Sequence, residues 1–318
     1  MTELELGPLK FGIIGAGRLG CAVGRALQQR GFEVVHASSR TSEGRDQATR
    51  LLEVPVHEDL LNVTEAVDCV IVCVPDDALG DVIRQLTGRA ADTSPIQLRI
   101  VTMSSHGGVT RLAPLAAAGH LVGVLHPVAS ITDDAADPSQ LTGGGAAVGA
   151  DDEAMRTFLH AFAHVLDLVP FDMPEASWPI HATACTIIAN GVASLLAAVE
   201  DLAAEAGLHA GVAQSVYGRL AATGIERALR VGPVQSLAGP IVRGDAAAIA
   251  TQVLAARAST SEVDALFIPV VATMANRAFT SGRIDMQTHR NLLEAILDPS
   301  QFDEDGPRPL GEIGGGAS

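Results

Sequence analysis

Phe11-Gly12-Ile13-Ile14-Gly15-Ala16-Gly17-Arg18-Leu19-Gly20 is the stretch whose reading decides the fold. An apolar run enters G-x-G-x-x-G, helix-forming residues follow, and a second apolar run occupies 32–37. Strand, tight turn, helix and strand in that order give such glycines a mechanical role. Gly15 permits the turn, Gly17 lets a pyrophosphate approach the backbone, and Gly20 lets helix and strand pack closely. Arg18 and Leu19 carry the turn into the helix, whose free N–H groups and positive dipole end suit phosphates. Without a ligand the same triplet is a plain glycine-rich turn.

Outward from there, strands are expected at 10–14, 33–37, 54–56, 69–74, 99–103 and 121–125. Helices are expected between them at 18–30, 45–52, 59–66, 78–86 and 109–118. This alternation predicts an α/β fold with a Rossmann-type doubly wound parallel sheet. The unbroken apolar run at 69–74 is what a strand covered on both faces requires. After Pro127 the rhythm changes: a polar loop at 131–140, then short strands at 146–148 and 166–169 around a helix at 153–164. From Ser177 onward the chain reads as helices at 180–206, 211–229, 246–257, 261–281 and 286–297, with Asp245 and Asp285 as N-caps. The expected organisation is a dinucleotide-binding domain over 1–170 and a mostly α-helical dimerisation and substrate domain over 171–298. A Gly-, Pro- and Asp-rich tail over 299–318 reads as disordered.

Composition narrows the function. The 318 residues suffice for two domains with their own cores, and 47% hydrophobic against 18% charged residues excludes a disordered chain. A formal net charge of −16 argues against nucleic acid and anionic membrane partners, both of which call for a positive surface. A locally positive site for an anionic cofactor stays compatible with it. Cys21, Cys69, Cys73 and Cys185 show neither metal-pair nor C-x-x-C spacing and read as small buried hydrophobes in a reduced compartment; no metal site is expected. The acidic residues 1–8 lack a signal-peptide core, and the longest apolar run, near 266–275, is interrupted by Pro269. A soluble cytoplasmic protein with no membrane partner is therefore expected. Lys10 is the sole lysine, so any amine chemistry must use it.

The turn after the second strand selects between the nicotinamide dinucleotides. An acidic residue there would accept from the adenine ribose 2′-OH; Ser38-Ser39-Arg40-Thr41 instead offers hydroxyls and a guanidinium, which suit the 2′-phosphate of NADP(H). Val74-Pro75-Asp76 follows the next core strand on the same edge, where it can pass the nicotinamide ribose; Pro75-Asp76-Asp77 also reads as a turn with capping aspartates. Ser104-Ser105-His106-Gly107-Gly108 and Leu125-His126-Pro127 each end a strand on that edge. His126 and His106 are candidate proton donors there, because histidine titrates near neutral pH. Thr183, Thr186, Asn190 and Ser194 share one face of the long helix, whereas His181, nine positions from Asn190, falls on the other unless the helix begins after it or bends near Pro179. Ile188, Val192, Leu195, Val199 and Leu202 form an apolar stripe able to meet neighbours or a second subunit. Arg243, in the loop 237–245, can hold a carboxylate bidentately or tie down a neighbouring helix. Ser105, Thr186 and Arg243 are the candidate substrate contacts.

Assembled, these residues resemble a family of Rossmann-like oxidoreductases with a C-terminal helical domain of unknown function. It is related to the 6-phosphogluconate dehydrogenase-like and pyrroline-5-carboxylate reductase-like enzymes. The resemblance rests on Gly15 to Gly20, Ser39-Arg40, Pro75-Asp76-Asp77, Leu125-His126-Pro127, His181-Ala182, Asn190 and above all Gly239-Pro240-Ile241-Val242-Arg243-Gly244-Asp245. The His-Pro pair is also similar to that of prephenate dehydrogenases. The resemblance implies an NADPH-dependent reductase of a small 2-oxo acid, ketopantoate being the first to try, or of a cyclic imine. His126 would donate the proton, Asn190 orient the reacting atom and Arg243 hold a carboxylate. It further implies an interlocked homodimer through the helical domain, with the active site between the two domains. Ala238 replaces the family's usual Thr, His106-Gly107-Gly108 departs from its His-x-Ser-Gly loop, and Thr186 stands where hydroxyacid dehydrogenases carry a lysine. An NADP(H)-binding redox sensor or scaffold without turnover is the competing expectation.

Overall fold

The computed structural model describes residues 7–90, 97–131 and 136–302. The chain divides into two compact units, Met1–Ala189 and Asn190–Ser318. The first is built on eight strands: β1 (Lys10–Ile14), β2 (Glu33–Ser38), β3 (Val56–His57), β4 (Cys69–Val72), β5 (Arg99–Thr102), β6 (Leu121–Val128), β7 (Gly145–Gly149) and β8 (Val169–Asp172). They form one sheet in the order β3-β2-β1-β4-β5-β6-β7-β8, parallel except where β7 runs antiparallel to β6. Between them lie α1 (Arg18–Gln29), α2 (Ser42–Leu52), α3 (Asp76–Ala90), α4 (Ala113–Ala117) and α5 (Glu153–Val165). This is the Rossmann-type sheet the sequence predicts.

Period-two alternation builds a core on each face of the sheet. In β4, Cys69 and Ile71 join the cluster of Phe11, Ile13, Leu27 and Phe162, while Val70 and Val72 join that of Ile14, Leu79, Ile100 and Trp178. Both sets are buried, which explains why this strand carries no polar position. Two expected boundaries move for physical reasons. Residues 59–66 form a 3₁₀ turn at Leu60–Thr64, capped by the Asp59 carboxylate on the Leu61 N–H, and not a full helix. The strand expected at 166–169 begins only at Val169, because Asp167 takes a left-handed φ of 59°.

Helix α6 (Trp178–Glu205) carries the division between units, at Ala189/Asn190. The second unit continues with α7 (Ala210–Val231), α8 (Pro240–Arg243), α9 (Ala246–Ala258), α10 (Ser261–Thr280) and α11 (Met286–Leu297). Its core joins Ile241, Ile249, Val253, Val271, Ala275, Leu292 and Ile296. The Asp245 and Asp285 carboxylates cap α9 and α11 as expected, accepting from the Ala248 and Thr288 N–H groups at 3.0 and 2.7 Å. The tail expected to be disordered from 299 begins with a 3₁₀ turn, Pro299–Phe302, whose Phe302 packs on that core; residues 303–318 lie outside the described residues.

An apolar run longer than the one near 266–275 lies in α6: the stretch Glu175–Glu205 is long and apolar enough to cross a membrane by length and composition. Ile180, Ile187, Ile188, Leu195 and Leu202 of this stretch stay exposed, as do Val212, Val216, Leu220, Ile225 and Leu229 of α7.

The first turn of α1 is the tightest joint in the first unit. A Cβ on Gly20 would collide with the Gly15 carbonyl oxygen, whereas one on Gly17 would meet nothing within 4 Å. Gly20→Ala is expected to cost about 1–3 kcal/mol of stability through overpacking. Gly17→Ala should stay within about 0.5 kcal/mol of wild type. Urea unfolding midpoints of the two variants check this pair of outcomes.

Candidate functional site

Register puts the functional residues on one edge. Ile14 pairs with Val72 and Val72 with Thr102, and Thr102 pairs with Val124, so the Gly15 turn, Val74, Ser104 and His126 all follow at about the same level of the sheet. This is the carboxyl edge of the parallel strands, where open α/β sheets bind ligands.

At the α1 end of the edge, Gly15 takes φ +91° and its absent side chain leaves room for the Cys73 carbonyl, 2.6 Å from where a Cβ would sit. The Gly15 and Ala16 N–H groups both donate to the Ser38 carbonyl, at 3.1 and 2.8 Å, which ties the glycine turn to the end of β2. Gly17 is the N-cap of α1, and no side chain caps the helix. The turn borders a cleft of about 340 Å³ lined by Ile14, Gly15, Gly17, Ser38, Ser39, Arg40, Thr41, Val74 and Pro75 among others. Residues that follow the ends of β1, β2 and β4 thus converge on one volume.

The β2–α2 turn is braced from behind. Arg45 donates to the Ser39 and Arg40 carbonyls at 3.1 and 2.9 Å and pairs with Glu58 at 3.2 Å. That pairing offsets the negative charge of Glu58, which also lines the cleft. Thr41 is partly committed: its hydroxyl accepts from the Gly44 N–H at 3.1 Å and caps α2. Arg40 is exposed, and among the described residues its guanidinium has no acceptor.

Asp76 proves to be the first residue of α3, where it does more than end a turn. Its carboxylate accepts from the Ser104 hydroxyl, and its carbonyl accepts from Arg111 Nη2 at 2.7 Å. The Ser104 hydroxyl in turn accepts from the His106 N–H at 3.1 Å. The loop turns through Gly107 and Gly108, both left-handed, and Glu175 holds it by accepting from the Val109 and Thr110 N–H groups at 3.0 and 2.9 Å. His106 is left exposed and Ser105 half-buried. No described contact joins His106 to His126.

His126 sits differently from expectation. His126-Pro127 does not end β6; the strand runs on to Val128, because antiparallel β7 pairs His126 with Ala147 and Pro127 with Ala146. His126 is therefore held in a regular strand. Its Nδ1 lies 3.0 Å from His181 Nε2, with the two rings 5.1 Å apart and nearly perpendicular. Helix α6 begins at Trp178, before His181, so this histidine occupies the helix's first turn and reaches the strand from there. Phe171 and Trp178 stand edge-on to His181, at 5.9 and 6.0 Å. Cys185, one turn further along α6, brings its Sγ to 3.8 Å from His181 Nε2. It is half-buried beside two histidines, and not the isolated core thiol the spacing suggests.

Burial is the main reason the His126 pKa falls from 6.5 to about 4; His181 pushes it the same way and Asp76 opposes. Burial lowers the His181 pKa as well. Both rings are thus held neutral near pH 7, with one hydrogen between them.

The other sequence candidates are distributed as follows. Thr186 is exposed on α6 in the first unit. Asn190 and Arg243 belong to the second unit, Asn190 exposed on α6 and Arg243 at the end of α8. The hydroxyls flanking Asn190 are satisfied within the helix: Thr183 donates to the Pro179 carbonyl and Ser194 to that of Asn190, at 2.8 and 3.1 Å. His181 and Cys185 are the residues that spacing alone missed. Their i, i+4 separation on one helix was the available signal.

Residues 2–127 match the Rossmann-like domain family, and residues 146–288 match the family described as Domain of unknown function (DUF2520). The chain joins a domain of the first kind to one of the second. No curated protein matches it significantly. Among solved structures, protein TM1727 from Thermotoga maritima is similar over 86% of this chain and 100% of its own, at 16% identity and a TM-score of 0.65. The reductive aminase from Aspergillus terreus, in complex with NADPH and ethyl-5-oxohexanoate, covers 89% and 98% at 15% identity and 0.62. A pyrroline-5-carboxylate reductase from Coxiella burnetii covers 94% and 100% at 14% identity and 0.54. These likenesses establish the shared fold.

The depressed His126 pKa has a definite sign. Between about 4 and 6.5 the unfolded chain binds more protons at this residue than the folded one. Its contribution to stability is full above 6.5 and is lost as pH falls through that window. NMR ring signals of His126 are expected to stay at their neutral positions from pH 8 down to about 5. A midpoint near 6.5 would show that burial and His181 do not act on it as described.

Proposed function

We propose that the chain is an NADPH-dependent oxidoreductase that reduces a small 2-oxo acid or cyclic imine. The observation that carries this reading is the cleft joining Gly15 and Gly17 to Ser38, Ser39, Arg40 and Thr41, on the edge that also bears the His126–His181 pair. The residues fit the cofactor. Gly17 leaves open space for a pyrophosphate, the uncapped start of α1, through Arg18, Leu19 and Gly20, presents its positive end, and Arg40 is a cation without a described partner. Ser39, Arg40 and Thr41 take the 2′-phosphate, and Val74, Pro75 and Asp76 flank the nicotinamide ribose.

A reduced nicotinamide supplies hydride to the carbonyl or imine carbon, and the oxygen or nitrogen there takes a proton. His126 delivers that proton as part of a relay. With His181 Nε2–H donating to His126 Nδ1, His126 Nε2–H is left to face the reacting atom. As Nε2 gives up its proton, Nδ1 takes one from His181 Nε2, half-buried His181 takes one from water at Nδ1, and no free imidazolium is required beforehand. A pKa near 4 suits this role better than that of a pre-charged acid. His106 is the secondary candidate donor. The roles assigned to Ser105, Thr186, Asn190 and Arg243, orienting the substrate and holding its carboxylate, rest on the sequence. Thr186 in the place of a lysine favours a second reading, an NADP(H)-binding sensor or scaffold without turnover.

We propose also that α6 and α7 bury their apolar faces against a second copy of the chain. Ile188, Leu195 and Leu202 repeat at seven residues, the period of a helix–helix seam, and all three are exposed in the single chain. A homodimer covers this surface and accounts for a span-like helix whose first turn is engaged with the sheet through Trp178 and His181.

Arg40→Ala is expected to weaken NADPH binding about tenfold or more, since a charge-assisted bond is worth about 1.5–3 kcal/mol, and to leave NADH binding unchanged. Wild-type preference for NADH in a thermal-shift titration would overturn the cofactor assignment. His126→Ala should lower kcat about 10²–10⁴-fold on whichever 2-oxo acid or imine is turned over. NADPH binding with no oxidation across a broad panel would favour the silent binder.

Light scattering is expected to give twice the chain mass, and Ile188→Glu/Leu195→Glu to halve it. A wild-type chain that needs detergent to stay dispersed would point to a membrane instead.

A further inference from the structure

We propose that His126, His181 and Cys185 form a zinc-binding site with three protein ligands and one open coordination position. A ring nitrogen of His126, one of His181 and Cys185 Sγ all lie within 4.8 Å of one another, and no other such group occurs among the described residues. Bonds of about 2.0–2.1 Å to nitrogen and about 2.3 Å to sulfur at tetrahedral angles place two nitrogens about 3.3 Å apart and a nitrogen about 3.5 Å from a sulfur. The chain holds the corresponding atoms at 3.0 Å and 3.8 Å. Displacements of a few tenths of an ångström bring these two distances to tetrahedral values, and closing the His126–Cys185 separation, which is within 4.8 Å, completes the coordination shell.

The scaffold favours this conversion. His181 and Cys185 are one helical turn apart on α6, so a single rigid element aims both at one point. His126 comes from β6, whose pairing with β7 fixes its backbone. Phe171 and Trp178 wall one side of His181 and leave it little freedom to turn away. Two imidazoles and a thiol are a borderline-soft set, suited to zinc over magnesium or calcium. The Asp76 carboxylate acts electrostatically at His126 and attracts a cation to the place. Three ligands on a half-exposed cluster leave the fourth position to water or to an oxygen of a bound molecule, the arrangement of zinc sites that exchange ligands.

Binding releases a proton: the thiol of Cys185 gives up its hydrogen as the sulfur–zinc bond forms, and the hydrogen shared by the two imidazoles moves to His181 Nδ1 so that both facing ring nitrogens turn their lone pairs to the metal. No electron is transferred. His126 would be ligated through Nδ1, leaving Nε2 unchanged. Zinc takes the two ring nitrogens through which the proton relay of the reductase reading runs, so a zinc-loaded chain does not use that relay; the test is still separate from that reading, because metal content and spectrum are read without any substrate.

The test uses the full-length chain without a histidine tag. Titration with zinc against a chromophoric chelator is expected to give one zinc per chain. Replacing zinc by cobalt(II) should give visible bands of a tetrahedral ion and a near-ultraviolet thiolate-to-cobalt band. Cys185→Ser should abolish the thiolate band. His181→Ala should weaken zinc binding by more than the roughly 10–100-fold that outer-shell changes cost. Unchanged melting in the absence of metal controls for folding. Failure of the wild-type chain to compete with the chelator, or cobalt bound without the thiolate band, would overturn the proposal. So would zinc binding that survives both substitutions unchanged.

Discussion

The closeness of α1 to β1 is the constraint from which the rest follows. Gly20 lies so near the Gly15 carbonyl that no side chain fits between them. That approach sets the start of α1 directly beyond the strand end and aims its uncapped N-terminus along the carboxyl edge of the sheet. The same turn reaches sideways: two N–H groups on the Ser38 carbonyl fasten it to the β2 end, and the Cys73 carbonyl passes beneath Gly15. One tight turn thereby coordinates three strand ends beside the cleft.

A second device positions the chemistry further along that edge. Parallel register carries a common level from Ile14 through Val72 and Thr102 to Val124. The reversal at β7 then lengthens β6 past that level and holds His126 in regular strand geometry. The long helix starts just early enough to set His181 against it. Burial keeps both rings neutral, so the pair is suited to passing a proton or accepting a metal, and poorly suited to storing charge.

The glycine turn, the alternating sheet and the caps at Asp245 and Asp285 were legible in the sequence because each depends on neighbours within a few residues. Gly15, Gly17, Ser39, Arg40 and Pro75 converge for the same reason: strand, turn and helix lengths place them before any long-range contact is known. The His126–His181–Cys185 cluster was not legible, because it depends on where α6 begins and on β7 extending β6. Both are tertiary facts. Proline at 127 suggested a strand end, yet β7 pairing carries the strand through it. The span-like character of α6 was in the sequence: residues 178–199 carry no Asp, Glu, Lys or Arg, although His181, Thr183, Thr186 and Asn190 break up the apolar runs. Asn190 and Arg243 remain distinguished by sequence alone.

The central claim is that the cleft beside Gly15 binds NADPH in an orientation that brings its nicotinamide toward His126. The most direct measurement is a crystal structure of the NADPH complex. The expected result is the pyrophosphate over Gly17 at the start of α1, the 2′-phosphate against Ser39 and Arg40, and nicotinamide C4 on the same side of Pro75 as His126. A nicotinamide lying at the Arg40 end, or a cofactor seated outside this cleft, would contradict it.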